Sequence, residues 1–230
     1  SRLSQPVAAY LKRFTSNQAL IDMITQHFFK DTPTFFALSY FGLYLDYRYP
    51  KGGTGVLAET VTDYILRSGG EILTDTAVLR VDAHKKQLHT AGGESYNYKK
   101  LVWAADQKTL YKAVNAHTPQ ADSQRALVDI GSGGDSILSL FMGVHLDREY
   151  FADRSGAHAF YTPTTVGLSS LTDWTQAKAS EGELYDWIGQ YLERTTYEIS
   201  CPVLRDGALA PEGKTGVIVS TLMDYRLVKH

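Results

Sequence analysis

The stretch Tyr49-Pro50-Lys51-Gly52-Gly53-Thr54-Gly55, taken with the elements behind it as far as Tyr111, decides how the rest of the chain is read. It is a tight loop that opens a helix. From Thr54 to Ser68, the residues Val56, Leu57, Val61, Tyr64 and Ile65 are spaced to share one face, and Gly69-Gly70 ends the helix as C′ glycines do. Glu71 to Leu73 reads as a short strand, and Thr76 to Asp82 as a longer alternating one. Gln87 to Thr90 and Glu94 to Tyr98 flank a Gly92-Gly93 turn, the pattern of a hairpin. Leu101-Val102-Trp103-Ala104-Ala105 is wholly apolar, as in a strand buried on both faces of a parallel sheet. Asp106 is placed to cap a helix from Gln107 to Val114.

Toward the N-terminus the chain is aromatic and helical. Pro6 to Phe14 reads as a short helix. Gln18 to Phe29 sets Leu20, Ile21, Ile24, His27 and Phe28 on roughly one face. Asp31-Thr32-Pro33-Thr34 stops that helix and starts a third, apolar on most sides, which is either buried or lines a cavity. Toward the C-terminus, Ala116 to Gln124 reads as loop and Gly131-Ser132-Gly133-Gly134 as a turn. Strands follow at Ser136–Leu146, His158–Thr162, Thr196–Val203 and Gly216–Leu222, with one amphipathic helix at Glu183–Arg194.

The bulk properties narrow the function classes. The chain has 230 residues, 43% of them hydrophobic and 21% charged, with a net charge of -2. That composition is ordinary for a globular protein and offers no electrostatic footprint for nucleic acid. The single cysteine, Cys201, excludes an internal disulfide and fits a reducing compartment. No apolar run has the length of a membrane span.

Most motifs of catalysis are missing. No serine sits in a Gly-x-Ser-x-Gly elbow. The 7 histidines lack metal-ligand spacing. His27, on a helix face, and His145, in a strand, read as packing or surface residues. Cys201 reads as a small buried hydrophobe. Gly52-Gly53-Thr54-Gly55 and Gly131-Ser132-Gly133-Gly134 both lack the Gly-x-Gly-x-x-Gly spacing of a dinucleotide cradle and the lysine of a P-loop. The strongest compositional signal is the aromatic cluster Phe28, Phe29, Phe35, Phe36, Tyr40, Phe41, Tyr44, Tyr47 and Tyr49. It reads as the core of a helical subdomain or as the wall of a pocket for a long apolar molecule, and the two are compatible.

The ordered series from Tyr49 to Asp106 resembles the FAD-dependent phytoene desaturase, carotenoid isomerase and retinol saturase group of the amine-oxidase-like flavoproteins. Its carriers are Tyr49-Pro50-Lys51-Gly52-Gly53, Gly69-Gly70-Glu71-Ile72, Thr76-Ala77-Val78-Leu79-Arg80-Val81, Gly92-Gly93-Glu94 and Leu101-Val102-Trp103-Ala104-Ala105-Asp106. Ser136 to Gly143 resembles the strand that follows in that group. Leu209-Ala210-Pro211-Glu212-Gly213-Lys214 and the strand behind it resemble a loop and strand of the group. The resemblance runs from about Tyr49 to Tyr225. It departs at both ends, since the Gly-x-Gly-x-x-Gly segment and the second glycine-rich flavin segment are absent, so the chain is expected to be the middle of such an enzyme.

What the resemblance implies is an α+β chain, an α/β flavoprotein fragment with a mixed or antiparallel substrate-domain sheet, flanking helices and a partial FAD-binding domain. Residues 1–50 would be the helical part of the substrate domain, 51–117 the partial FAD-binding domain, and 118–230 a β-rich substrate domain with one amphipathic helix. FAD would belong to the parent protein and not be retained by this fragment. The residues matching its surroundings are Val78, whose strand passes the adenine, and Ala104, Ala105 and Asp106 near the dinucleotide. Pro50, Gly52 and Gly53 match the loop entering the FAD domain, where a plain tight turn is the other reading. Phe28, Phe29, Phe35, Phe36, Tyr40, Phe41 and Tyr44 would line the substrate pocket. No catalytic residue is identified, and the flavin would carry the redox chemistry. The expected partner is a lipophilic small molecule, with no nucleic acid. The parent would be cytoplasmic, with peripheral membrane association. An amine or porphyrinogen oxidase and a non-catalytic aromatic binding module stay open beside this reading.

Overall fold

The computed structural model of the chain describes residues 2–43, 48–131, 135–177 and 180–229. In chain order the helices are α1 (Val7–Leu11), α2 (Gln18–Thr25), α3 (Thr34–Leu43), α4 (Gly55–Arg67), α5 (Gln107–Ala113), α6 (Pro119–Ile130), α7 (Arg148–Ala152), α8 (Trp174–Ala177), α9 (Glu181–Arg194) and α10 (Tyr225–Lys229). The strands are β1 (Val78–Asp82), β2 (Gln87–Thr90), β3 (Ser95–Asn97), β4 (Asp135–Val144), β5 (His158–Tyr161), β6 (Tyr197–Ser200) and β7 (Thr215–Asp224). They form a 3-stranded sheet of order β1-β2-β3 and a 4-stranded sheet of order β4-β7-β6-β5. Both sheets are antiparallel, so the chain is α+β as its sequence pattern implies. It divides into two compact units, Ser1–Glu59 with Gly134–His230, and Thr60–Gly133.

The first unit is built on the long β4–β7 ladder, which runs in continuous register from Asp135↔Asp224 to Val144↔Thr215. Side chains alternate faces along a strand. On β7 this alternation buries Thr215, Val217, Thr221 and Met223. The buried hydroxyls have partners, as buried polar groups require. Thr195 and Thr221 hydroxyls pair at 2.7 Å, Thr221 also donates to the Thr196 carbonyl, and Thr215 donates to the Leu146 carbonyl. Helix α9 starts where the Ser180 hydroxyl accepts from Glu183 N–H at 3.2 Å. Glu181 and Glu183 in its first turn and Arg194 in its last both favour the helix dipole. Its Tyr191 hydroxyl donates to the Leu222 carbonyl on β7.

The N-terminal helices close on one another through Thr34, which is fully buried and donates its hydroxyl to the Gln5 carbonyl at 2.8 Å. Val7, Phe28 and Ala37 form the buried apolar cluster between α1, α3 and the end of α2, with Leu11 and Tyr40 packed against it. Asp22 of α2 and Gln26 just past its end reach the 167–170 turn: Ser169 donates to Asp22 at 2.6 Å, and Leu168 N–H donates to Gln26 Oε1 at 2.7 Å. The approach is so close that a Cβ on Gly167 would stand 2.4 Å from Asp22 Cβ, which only glycine avoids.

In the second unit β1, β2 and β3 form a meander, with the register shifting between Val78 and Arg80. The chain returns after α5, where Asn115 N–H donates to the Val81 carbonyl at 3.1 Å and its side chain accepts from Ala83 N–H at 2.8 Å. Arg125 on α6 donates to the carbonyls of Tyr111 and Ala116 and so holds α6 to the end of α5.

Several elements differ from the sequence expectation. Leu101–Ala105 is not a strand but an irregular segment, with Val102 86% exposed. Glu71–Leu73 is irregular as well. A strand needs a neighbouring backbone to pair with, and neither segment has one among the described residues. The stretch read as loop at Ala116–Gln124 contains the start of α6. Its signals are Thr118 accepting from Ala121 N–H at 3.1 Å, Pro119 in the first turn, and Asp122. Helix α2 ends at Thr25 rather than running to Phe29, and β6 ends at Ser200 because Pro202 has no N–H to continue a ladder. Residues 132–134 of the glycine turn, and Tyr44 and Tyr47 of the aromatic cluster, lie outside the described residues.

Candidate functional site

A cavity of about 260 Å³ lies within the first unit, between the aromatic helices and one face of the 4-stranded sheet. Its helical wall comes from the turn after α2 and from α3. Asn17 caps α2 by accepting from Leu20 N–H at 3.2 Å. The chain then reverses at Asp31, whose φ of 64 lies in the left-handed region that aspartate tolerates. That reversal brings His27, Phe28 and Phe29 alongside Phe36 and Tyr40. Phe28 is buried, with its ring edge-on to Tyr40 at 5.3 Å and to Phe41 at 5.5 Å. Edge-to-face contacts of this kind fix ring positions more sharply than burial alone.

The sheet wall follows from the register. Phe160, Glu198, Ser220 and Ser139 stand in one row across β5, β6, β7 and β4, and Leu222 and Ile137 form the next pair along β7 and β4. The wall is mostly apolar, and its polar members pair with one another. Ser139 and Ser220 hydroxyls meet at 2.8 Å, and Glu198 Oε1 meets His158 Nε2 at 2.7 Å. At the cavity's open side Phe36 and Ile137 are about half exposed.

His27 lines this cavity as well. Its ring is edge-on to Phe160 at 4.1 Å and to Phe41 at 5.6 Å. Its Nδ1 is buried without a hydrogen-bond partner. Burial pushes the His27 pKa down, the Glu198 carboxylate opposes that, and His158 adds to it. The imidazole is therefore neutral near pH 7. His27, His158 and Glu198 are far apart in sequence, so no spacing signals the group; the pairing of β5 with β6 brings His158 and Glu198 together, and the turn after α2 adds His27. Among the described residues no group of three or more His, Cys, Asp or Glu is arranged to hold a metal ion.

The residues singled out from sequence fall into three sets. Phe28, Phe29, Phe36 and Tyr40 line the cavity; Phe41 packs against Phe28 and His27; Phe35 is exposed and not part of the lining. Pro50, Gly52 and Gly53 form a tight turn in the first unit, closed by Gly53 N–H donating to the Pro50 carbonyl. Gly52 and Gly53 have φ of 86 and 90, which explains both glycines, and Gly52 N–H donates to Asp206 Oδ2 at 2.7 Å. Val78, Ala104, Ala105 and Asp106 lie in the second unit. Val78 is half-buried opposite Thr90, and Ala104 and Ala105 are exposed. Asp106 caps α5, accepting from Thr109 N–H at 2.7 Å and from its hydroxyl at 2.8 Å. Those bonds hold its carboxyl below the usual carboxylate range.

A larger cavity of about 710 Å³ lies within the first unit, lined by Asp22, Lys30, Trp174, Trp187 and Arg226 among others. Its polar groups are paired: Trp174 donates to Asp224, Trp187 to the Thr172 carbonyl, and Arg226 to Asp224. Among the described residues no helix is long and apolar enough to cross a membrane.

This combination of antiparallel sheet, aromatic helices and meander is an α+β fold with counterparts among solved structures. One is the PF1083 protein from Pyrococcus furiosus, with a TM-score of 0.65 and 14% identity over 96% of this chain and 50% of that one. Another is reduced UDP-galactopyranose mutase, with a TM-score of 0.52 and 13% identity over 77% of this chain and 32% of that one. At these identities the likeness is one of fold. The chain spans half the length of the first protein and about a third of the second. No family model matches the sequence, and no curated protein does.

Proposed function

We propose that the chain is the substrate-cavity portion of an FAD-dependent oxidoreductase acting on a lipophilic, isoprenoid-like small molecule. The observation that carries this is the apolar cavity, with Phe28, Phe29, Phe36 and Tyr40 facing Phe160, Ile137 and Leu222. An apolar polyene needs such walls and few polar contacts. Two lines of likeness support the flavin part. The motif series from Tyr49 to Asp106 resembles the phytoene desaturase group, and one protein of like fold, UDP-galactopyranose mutase, is a flavoenzyme.

The residues present do not make a flavin site by themselves. The sequence holds no pyrophosphate cradle, and the Asp106 carboxylate is committed to Thr109. No chemical step is therefore derived through the flavin. The contribution of these residues is to bind the apolar substrate, orient it against the sheet and exclude water.

The test is to express the gene's whole open reading frame and record its visible spectrum. A yellow protein that releases FAD on denaturation, and bleaches anaerobically when an apolar polyene is added, is the expected result. A colourless full-length protein would sink the flavin reading.

A second reading rests on the exposed side of α3, where Phe35, Phe36, Leu38, Phe41 and Leu43 are solvent-accessible. Patches of this kind meet membranes or partner proteins. Co-sedimentation with neutral lipid vesicles that is lost in Phe35→Ser would favour it over the enzyme reading. It is also the route by which an oxidoreductase of this kind would take a lipophilic substrate from a membrane surface.

A further inference from the structure

We infer that β4 is an interaction edge whose partner is the β4 strand of a second copy of this chain, the two strands pairing antiparallel about a two-fold axis at Ser139. The inference is independent of the cavity reading above.

In the order β4-β7-β6-β5, β4 has a neighbouring strand on one side only among the described residues. The other edge strands, β1, β3 and β5, have 5, 3 and 4 residues, whereas β4 has 10. Unpaired N–H and C=O groups along an edge are a template for another strand. Edges that stay free in water are kept short or carry charge, proline or a bulge. On β4 these devices are missing. From Ser136 to Val144 the sequence has no charged residue and no proline, and its register against β7 is continuous. Both faces are apolar and open. Ile137 and Phe141 share one face and are 58% and 74% exposed; Leu138 and Leu140 share the other and are 46% and 57% exposed.

An open backbone ladder selects an extended chain as its occupant, and the side chains select which one. The run Ile137-Leu138-Ser139-Leu140-Phe141 reads apolar, apolar, serine, apolar, apolar in both directions. A two-fold contact presents the same patch from both copies, and antiparallel pairing reverses one strand against the other. With each Ser139 opposite its own counterpart, Ile137 meets Phe141 and Leu138 meets Leu140, twice each and on matching faces. Cross-strand pairs of aromatic and β-branched residues stabilise a sheet, and no like charges oppose each other within this run. Moving the axis by one residue sets Ser139 against Ile137 or Phe141 instead. The pattern therefore fits a second copy in one register, and the two 4-stranded sheets join into one.

The test is sedimentation velocity of the chain over a concentration series, with oxidative cross-linking of two cysteine variants. A reversible dimer is the expected result. Leu140→Lys sets a charge against Leu138 twice in each dimer and should weaken it about tenfold. Ser139→Cys, standing opposite itself, should form an intermolecular disulfide. Phe141→Cys should not, because the two copies of that residue lie roughly 14 Å apart along the strands. The native Cys201 is fully buried and does not compete. A chain that is monomeric at every concentration would overturn the inference, and so would a dimer indifferent to Leu140→Lys. Equal cross-linking of the two cysteine variants would overturn the two-fold at Ser139. A dimeric chain beside a monomeric product of the gene's whole open reading frame would assign the edge to another segment of the parent and overturn the second copy. Sedimentation of the unaltered chain needs no variant, so a poorly folding variant does not blunt the test.

Discussion

The two units are patterned alike and buried differently. In the first, Val7, Ile21, Phe28, Ala37, Val203, Val217, Met223 and Leu227 are all buried. In the second, Val81 is the one fully buried apolar side chain among the described residues. There Tyr64, Leu101, Val102, Leu127 and Ile130 are exposed, Leu101 and Val102 within a wholly apolar run. Both units have regular hydrogen bonding, so the contrast lies in packing. A periodic apolar stripe specifies which face of an element is to be covered; it does not specify what covers it. Helix α4 shows this directly, since its helical spacing is fulfilled while Leu57, Val61 and Tyr64 stay exposed.

The sharpest way to break that contrast is a pair of truncations. Phe28→Ala empties the centre of the α1–α3 cluster, where the side chain is 8% exposed, and should cost about 3–5 kcal/mol. Val102→Ala removes an exposed side chain and should stay within about 0.5 kcal/mol. Urea unfolding of both variants reads the difference. Comparable losses would mean that the second unit is packed in solution in a way its exposed segments do not show.

A smaller effect contrasts two carboxylates. Asp224 in the first unit has a side chain only 22% exposed and accepts from Arg226 and from Trp174 Nε1. Arg226 is the main cause holding its pKa down to about 2, against the usual 3.8. The unfolded chain therefore takes up the proton first as acid is added. The stabilisation is present above 3.8 and is lost as pH falls toward about 2. It amounts to about 2 kcal/mol. Asp224→Asn should remove it and flatten the acid limb of a stability-against-pH curve in that window. Asp106 in the second unit is lowered as well, by Thr109, but its carboxyl is exposed to solvent, which screens such interactions. Asp106→Asn should therefore leave the limb steeper than Asp224→Asn does. An unchanged acid limb in Asp224→Asn would remove the ion pair from the account.

How much of this was legible in the sequence depended on the range of the physics involved. Asp106 before α5, the Gly92-Gly93 hairpin and the apolar runs of β4 and β7 are local signals, and the structure has all three elements. Helix α6 was signalled by Thr118, Pro119 and Asp122, but the polar composition around them masked it. Leu101–Ala105 misled because a wholly apolar run states burial without naming a neighbour. At the cavity, the aromatic helices were visible as a composition signal. The sheet wall was not, because Phe160, Glu198, Ser220 and Ser139 become a row only through strand register. His27 was read as a packing residue for the same reason, since its neighbours Phe160 and Glu198 are remote in sequence and its ring contacts are tertiary.

The smallest expected effect belongs to that histidine. The titratable groups facing it are Glu198 and His158 from the sheet, and α3 brings no charge. Burial dominates, so the folded chain holds a lower pKa at His27 than the usual 6.5. As pH falls below 6.5 the unfolded chain binds the proton first and gains relative to the folded one. The stabilisation is thus fully present above 6.5 and is lost as pH falls through the folded value. His27→Phe keeps the ring contacts with Phe160 and Phe41 and deletes the titration, so its stability should vary less over that window, whatever its absolute value. Parallel urea curves for the two proteins across the window would show that the imidazole is solvated. An open, solvated His27 would remove burial as the cause of its lowered pKa.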